Sequence, residues 1–163
     1  MGLRRRLTGR AAARSVMLSG AKAMTRLLIL IAVAFVVVSV AIGWMWQAYI
    51  PDAPLSYLFL GLTPVLKFFV IAIAILTGDG LIGCMRRDEV RVRRASIVTM
   101  AVGAVGAIYG EANTHFGVLY DSEIDFAAMA PGRIESLTIL ALGLFAAVLV
   151  LGILRLRGAV NRS

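Results

Sequence analysis

The sequence has little of what soluble enzymes and disulfide-stabilised proteins use. It contains one cysteine, Cys84, which excludes an internal disulfide, and no Cys/His spacing indicates structural zinc or an iron–sulfur cluster. Its one histidine, His115, cannot supply both axial ligands of a bis-histidine haem within one protomer. The sequence motifs of serine hydrolases, zinc proteases, P-loop NTPases and kinases are absent. We therefore expect a protein that is not an enzyme and carries no cofactor.

Charged residues are also scarce, and acidic residues are scarcer than basic ones. Only 16% of the 163 residues are charged, and 17 Lys and Arg stand against 9 Asp and Glu, which gives a net charge of +8. Hydrophobic residues make up 60% of the chain, and its mean hydropathy is +0.89. This composition is too apolar for a soluble domain of this length and indicates one integral membrane domain.

Four apolar segments are candidates for membrane spans. Residues 27–46 and 137–154 carry no charge, and residues 57–76 carry only Lys67. The third segment, residues 95–110, reaches full length only by continuing through Glu111 and His115. Because roughly 20 helical residues cross a hydrocarbon core, we predict spans at about 27–49, 56–78, 95–119 and 134–156. The predicted fold is all-α: a four-helix transmembrane bundle over residues 27–157, preceded by an N-terminal basic amphipathic helix.

The charges between these segments predict the topology. Arginines cluster before the first span, between the second and third, and in the short basic tail at 158–163 and just before it, whereas the first and third loops are mainly acidic. Since basic loops stay on the cytoplasmic side, or its equivalent, we expect both termini to be inside. A bacterial inner membrane is preferred, and the mitochondrial inner membrane is the alternative.

Residues 1–26 form a basic arm without acidic residues. Small and apolar residues recur in it at roughly helical spacing, which suits an amphipathic helix on an anionic inner leaflet. A mitochondrial presequence is a second interpretation, because such segments are rich in arginine and lack acids. Binding of nucleic acid is not expected, since arginine without interleaved aromatic residues is weak evidence for it. The residues predicted to lie at the membrane surface are Arg4, Arg5, Arg6, Arg10 and Arg14.

Small residues predict where the helices pack, because close backbone approach drives helix association in lipid. They are concentrated on the third span, which we therefore expect to be the most enclosed helix, and a weaker pair lies on the fourth. The predicted packing residues are Gly103, Gly106, Ala107 and Gly110, with Gly143 and Ala147.

Lys67 is the one charged residue in the second apolar segment. An unpaired ammonium at membrane depth is costly, so the side chain should point into the bundle and find a partner. The charge-defined boundaries place Lys67 near mid-membrane, with Glu111 about 8 Å to its outer side. We therefore predict an intramembrane ion pair between Lys67 and Glu111 that sets helix register and partner choice. The alternatives are a proton or ion relay, an anion site, or a lysine buried against another subunit.

A cluster of acidic residues follows the third apolar segment. Glu111 and His115 are one helical turn apart, and Asp121 and Asp125 follow within the next ten residues. Carboxylates and imidazole can together bind a divalent metal, which makes these four residues candidate ligands. Because further positioned ligands are missing, a solvated acidic loop is the preferred interpretation and no metal is expected.

Two functional hypotheses follow. The preferred one is a non-catalytic accessory or assembly subunit of a larger membrane complex of the respiratory, secretion or conjugation type, with the bilayer and other membrane subunits as its partners. The alternative is a small oligomeric channel, transporter or holin-like pore with a polar path at Lys67, Glu111 and His115. A Lys67 substitution should leave a structural subunit assembled or only weakened, but it should alter flux through a pore.

Overall fold

The computed structural model describes the backbone of residues 2–54, 56, 60–119 and 126–160, and the side chains of residues 24–54, 56, 60–117 and 126–158. In this part of the chain, four long α-helices follow one another: α1 (Gly2–Tyr49), α2 (Pro64–Arg86), α3 (Glu89–Leu119) and α4 (Phe126–Val160). Each contains a segment long and apolar enough to cross a membrane. The predicted all-α, four-helix membrane architecture is confirmed.

The two ends of this bundle differ in charge. The end that holds the α2–α3 turn, with the C-terminal part of α4, carries most of the described arginines and is called the basic end. The opposite end, where residues 50–63 connect α1 to α2 and α3 leads to α4, is called the loop end.

Helix α4 is the centre of the bundle. It packs against all three other helices, whereas α1 packs mainly against α4. Of the apolar window in each span, 44% is buried in α4 and 33% in α3. The prediction that the third span would be the most enclosed helix is therefore wrong. Small residues on α3 mark its contact with α4 and, at Gly106, with α2, whereas α4 packs against all three other helices.

The closest helix contact joins α3 to α4 at a pair of glycines. A Cβ atom built on Gly103 would lie 3.0 Å from the Cα of Gly143, so the two backbones touch. Gly106 faces Phe69 and Ile139 in the same way, with no room for a side chain. The remaining predicted packing residues take three positions: Gly110 against Ser136, Ala147 fully buried in the core, and Ala107 half-buried.

Helix α2 begins later than predicted, at residue 64 rather than about 56. Pro64 fixes the φ angle of the first turn, and Thr63 before it is extended, so the chain enters the helix there. The helix continues to Arg86 and ends where Arg87 adopts the left-handed conformation, with φ 58°. The backbone N–H groups of Arg87 and Asp88 then bond the last free carbonyls of the helix.

This shift changes the depth of Lys67. The residue lies eight positions before the midpoint of Pro64–Arg86 at residue 75, about 12 Å along the helix axis. Lys67 therefore lies in the first turn of α2, close to the loop end and away from the midpoint of the helix. Asp79, which the sequence prediction left outside the span, lies inside it.

The other helices also extend beyond their apolar runs. Helix α3 begins at Glu89 instead of about 95, and α4 begins at Phe126 instead of about 134. Helix α1 starts at Gly2, so the backbone of the basic arm is continuous with that of the first span. The side chains of the arm, including Arg4, Arg5, Arg6, Arg10 and Arg14, lie outside the described residues, and their contact with the membrane surface stays a prediction.

Candidate functional site

At the loop end, Glu111 on α3 pairs with a cation from α4. Its Oε1 atom lies 3.2 Å from Nε of Arg133 and 3.4 Å from Nε2 of His115, one turn further along α3. The Arg133 guanidinium also lies over the ring of Phe126, 4.6 Å from its centroid. Its Nε is close to the carboxylate without being aligned for a hydrogen bond, so the contact is mainly an ion pair. These four residues are called the loop-end cluster.

Small and hydroxyl residues bring α3 and α4 together beside this cluster. Gly110 on α3 faces Ser136 on α4, and Gly132 on α4 faces Thr114 on α3. Each hydroxyl donates to a carbonyl of its own helix, Thr114 to Gly110 and Ser136 to Gly132. Both hydroxyls are thus satisfied within their helices, and the spacing between α3 and α4 is set by glycine.

The predicted Lys67–Glu111 pair is replaced by other contacts. Lys67 is exposed in the first turn of α2, and the carboxylate on which its charge acts is Glu135 of α4. The backbone N–H of Thr63 also faces Glu135. Among the described residues, the partners of Glu111 are Arg133 and His115, and the predicted pair with Lys67 is not one of the observed ion pairs.

Of the four candidate metal ligands, the described structure contains two, Glu111 and His115. Glu111 and His115 do lie within ligand distance of each other, but Glu111 already has Arg133 as its partner. Asp121 and Asp125 lie outside the described residues. Within the described ranges, no group of three His, Cys, Asp or Glu side chains could hold a metal ion.

A second ion pair lies at the basic end, between α2 and α3. Nε of Arg91 lies 3.0 Å from Oδ1 of Asp79, and its Nη2 contacts the same oxygen. The backbone N–H of Arg91 donates a hydrogen bond to Oδ1 of Asp88 at 3.0 Å, and this bond caps the start of α3. Sequence reasoning missed this pair because it ended the second span before Asp79. The sequence feature that could have indicated the pair is an aspartate twelve residues before an arginine, with a short turn between two helices separating them.

Cys84 and Arg157 connect α2 to the end of α4. The Cys84 thiol is buried and lies 3.4 Å from the carbonyl of Val150, while Nη1 of Arg157 donates to the Cys84 carbonyl at 2.8 Å. Beside them is a cleft of about 530 Å³ lined by Cys84, Met85, Arg87, Glu89, Leu154, Leu156, Arg157 and Gly158. The basic end thus combines the Asp79–Arg91 ion pair with an open, partly basic cleft.

The two polar regions are far apart. Arg91 and Glu111 are separated by twenty residues of α3, about 30 Å along the helix axis. Between them, buried residues such as Ile139, Gly143 and Ala147 are apolar or glycine, and the buried hydroxyls of Ser96, Thr99 and Thr138 each donate to a carbonyl of their own helix. Comparisons of the chain with protein-family models, curated protein sequences and solved structures find no match.

The geometry of the loop-end cluster predicts the effect of removing its cation. Replacing Arg133 with methionine should destabilise the bundle by about 1 kcal/mol. The partly exposed ion pair and the cation–π contact are each expected to contribute up to about that amount. Thermal unfolding of the detergent-solubilised protein, followed by circular dichroism, would measure the loss. His115→Ala is the matched control, since this side chain is 59% exposed and makes the longer contact. An equal or larger loss in the control would contradict the assignment of Arg133 as the main partner of Glu111.

Proposed function

We propose that this integral membrane protein is a non-catalytic accessory or assembly subunit of a larger membrane complex. The observation that carries the proposal is the closed apolar centre of the bundle, where Gly103 and Gly143 bring the backbones of α3 and α4 into contact. A chain packed in this way serves as a scaffold more readily than as a conduit. Complexes of the respiratory, secretion and conjugation type are the expected settings.

The pairing of the polar residues favours a structural role over the alternative, a pore. A polar path would need Lys67, Glu111 and His115 to face one common space. Instead, Lys67 lies on α2 beside Glu135, and Glu111 is held by Arg133 on α4. Glu111 therefore has its own partner at one end of the bundle, and the packing toward the other end is mainly apolar.

The first span supplies a surface for partner subunits. Only 6% of the apolar window of this span is buried, and large side chains such as Leu30, Val37 and Val40 point away from the bundle. A crevice of about 280 Å³ separates α1 from α3, with Leu27 and Ile97 among its lining residues. Helix α1 is therefore held by one stripe against α4, and its outer face is available to lipid or to another transmembrane helix.

The proposed orientation places the basic end on the cytoplasmic side of a bacterial inner membrane. Arg86, Arg87, Arg93 and Arg94 surround the α2–α3 turn, and Arg155 and Arg157 lie near the end of α4. Basic residues flanking transmembrane helices are retained on that side, so both termini would also be inside. Fusing a periplasm-sensitive reporter to the C-terminus would test this orientation.

Native mass measurement of the complex extracted in mild detergent tests the proposed role. We expect the chain to travel in a heteromeric particle that contains other membrane proteins. The purified chain alone, reconstituted in vesicles, should not increase ion or dye flux above that of protein-free vesicles. A homo-oligomer that conducts in vesicles would contradict the subunit proposal and favour the pore.

Substitution of Lys67 separates the two hypotheses further. Lys67→Met should leave the mass of the extracted complex unchanged, because the ammonium is exposed at the start of α2 and forms no ion pair with another described residue. The half-buried Glu135 loses a nearby positive charge, so a small loss of thermal stability is compatible with the structural role. The measurement is native mass together with vesicle flux. A flux in the native protein that changes several-fold in Lys67→Met would count against the structural role.

A further inference from the structure

The cleft at the basic end has a composition that suits a particular kind of ligand. It lies where α2 ends, α3 begins and α4 approaches its end, and its volume is about 530 Å³. Arg87 and Arg157 contribute two positive charges to the lining, against one negative charge from Glu89. Apolar side chains line the rest of the cleft: Met85, Leu154 and Leu156. The cleft is therefore basic in one part and apolar in another.

The two arginines are positioned by the fold. Arg157 donates to the Cys84 carbonyl, which fixes its guanidinium beside the end of α2. Arg87 occupies the left-handed position that ends α2, and its backbone N–H is bonded to the same helix. The Gly83 and Cys84 carbonyls near the end of α2 are thus already bonded, so these two groups oppose an anion in the cleft less strongly than free carbonyls would.

The cleft lies at the depth of lipid headgroups. Arg87 directly follows the last residue of α2, and Arg157 follows the uncharged apolar run 137–154 of α4. Met85 and Leu156 are more than two-thirds exposed on the outside of the bundle at the same level, where they would face lipid. An amphiphile with an anionic head could place the head in the cleft and its chains against these side chains.

We propose that this cleft binds the phosphodiester headgroup of an anionic phospholipid, with Arg87 and Arg157 as the phosphate-binding residues. Arginine suits this role because its planar guanidinium can donate two parallel hydrogen bonds to phosphate. Basic pockets between transmembrane helices on the cytoplasmic side are a recurrent type of lipid site. The inference concerns this cleft alone and holds whichever partners the protein has.

Native mass spectrometry of the full chain in a non-ionic detergent tests the site. Titration with phosphatidylglycerol should give one saturable adduct per chain, and phosphatidylcholine should bind more weakly. Arg87→Gln and Arg157→Gln should each weaken phosphatidylglycerol binding by about five-fold, the equivalent of about 1 kcal/mol per basic residue near an anionic surface. Arg94→Gln is the matched control, because Arg94 is exposed at the same end and does not line the cleft. It should leave the affinity unchanged.

Two variants decide the test even if a third fails to fold. Arg157→Gln removes the bond to the Cys84 carbonyl and could disturb folding, so Arg87→Gln and Glu89→Gln carry the result. Glu89→Gln should strengthen binding, since it removes the acidic group found among the described lining residues. Equal losses in Arg87→Gln and Arg94→Gln, or no preference for phosphatidylglycerol, would overturn the site. Saturable binding of inorganic phosphate alone, with the same dependence on Arg87, would overturn the lipid as its ligand.

Discussion

Replacing Gly143 with alanine is expected to destabilise the bundle by about 1–3 kcal/mol, the usual effect of overpacking a core. The new Cβ would lie 2.9 Å from the Cα of Gly103 and 3.0 Å from the carbonyl oxygen of Thr99. Both neighbours are backbone atoms, which cannot rotate away as a side chain can. The helices α3 and α4 must therefore separate, and separation also loosens the packing of the apolar side chains around the contact.

Gly152→Ala is the matched control, because it makes the same change on the same helix. No atom lies within 4 Å of a Cβ built at Gly152, outside its own helix backbone and chain neighbours. Alanine favours a helix over glycine by up to about 1 kcal/mol, so this variant should be neutral or slightly more stable. Chemical unfolding in detergent micelles, followed by circular dichroism, gives both values. Equal stabilities for the two variants would mean that α3 and α4 do not cross at Gly103 and Gly143.

Replacing Asp79 with alanine should lower the midpoint of thermal unfolding by several degrees. The substitution leaves the Arg91 guanidinium without its carboxylate partner, on a segment that packs against α2. Asp79 lies seven residues before the end of α2, about 10 Å along the axis, so its charge is within the span and not at its edge. Charges at this depth depend on being paired, and an arginine left alone is expected to pull the start of α3 toward the interface.

The double variant Asp79→Ala/Arg91→Leu separates loss of pairing from loss of a side chain. Because it removes both charges, it should recover much of the stability that the single variant loses. Asp52→Ala is the control for removing one carboxylate, since Asp52 is exposed in the connection between α1 and α2. If the effects of Asp79→Ala and Arg91→Leu simply add, the two side chains do not interact and the ion pair is refuted.

The predicted spans were right in number, and helices α2, α3 and α4 extend beyond the predicted limits at one end or both. The number of spans follows from the long apolar runs, because the free energy of transfer from water to lipid depends on the composition and length of each segment. It does not depend on the neighbouring helices. The end of a helix in a membrane depends also on whether a charge near the boundary finds a partner. Asp79 was treated as the end of the second span because its partner, Arg91, belongs to another helix. At the start of α2, Pro64 was a local signal that the apolar run before it obscured.

The partners of the charged residues could not be predicted in the same way. Glu111 has its i, i+4 neighbour His115 at contact distance, as the helical spacing indicates. Its interhelical partner is Arg133, and the carboxylate near Lys67 is Glu135. These pairings depend on the rotation of α4 about its axis and on its register against α2 and α3. A change of one residue in register moves a side chain by about 100° around a helix of 3.6 residues per turn, so depth alone cannot choose between partners.

The sequence by itself determined that this protein is an all-α membrane protein with four spans, because hydrophobic transfer and helix length are properties of each segment alone. It also marked the glycines through which helices approach. Only the tertiary structure decided that α4 is central, that Gly103 meets Gly143, and that Asp79 and Arg91 form the ion pair within the span. These features depend on which helix faces which, and that choice is made by many weak packing contacts acting together, which no single segment contains.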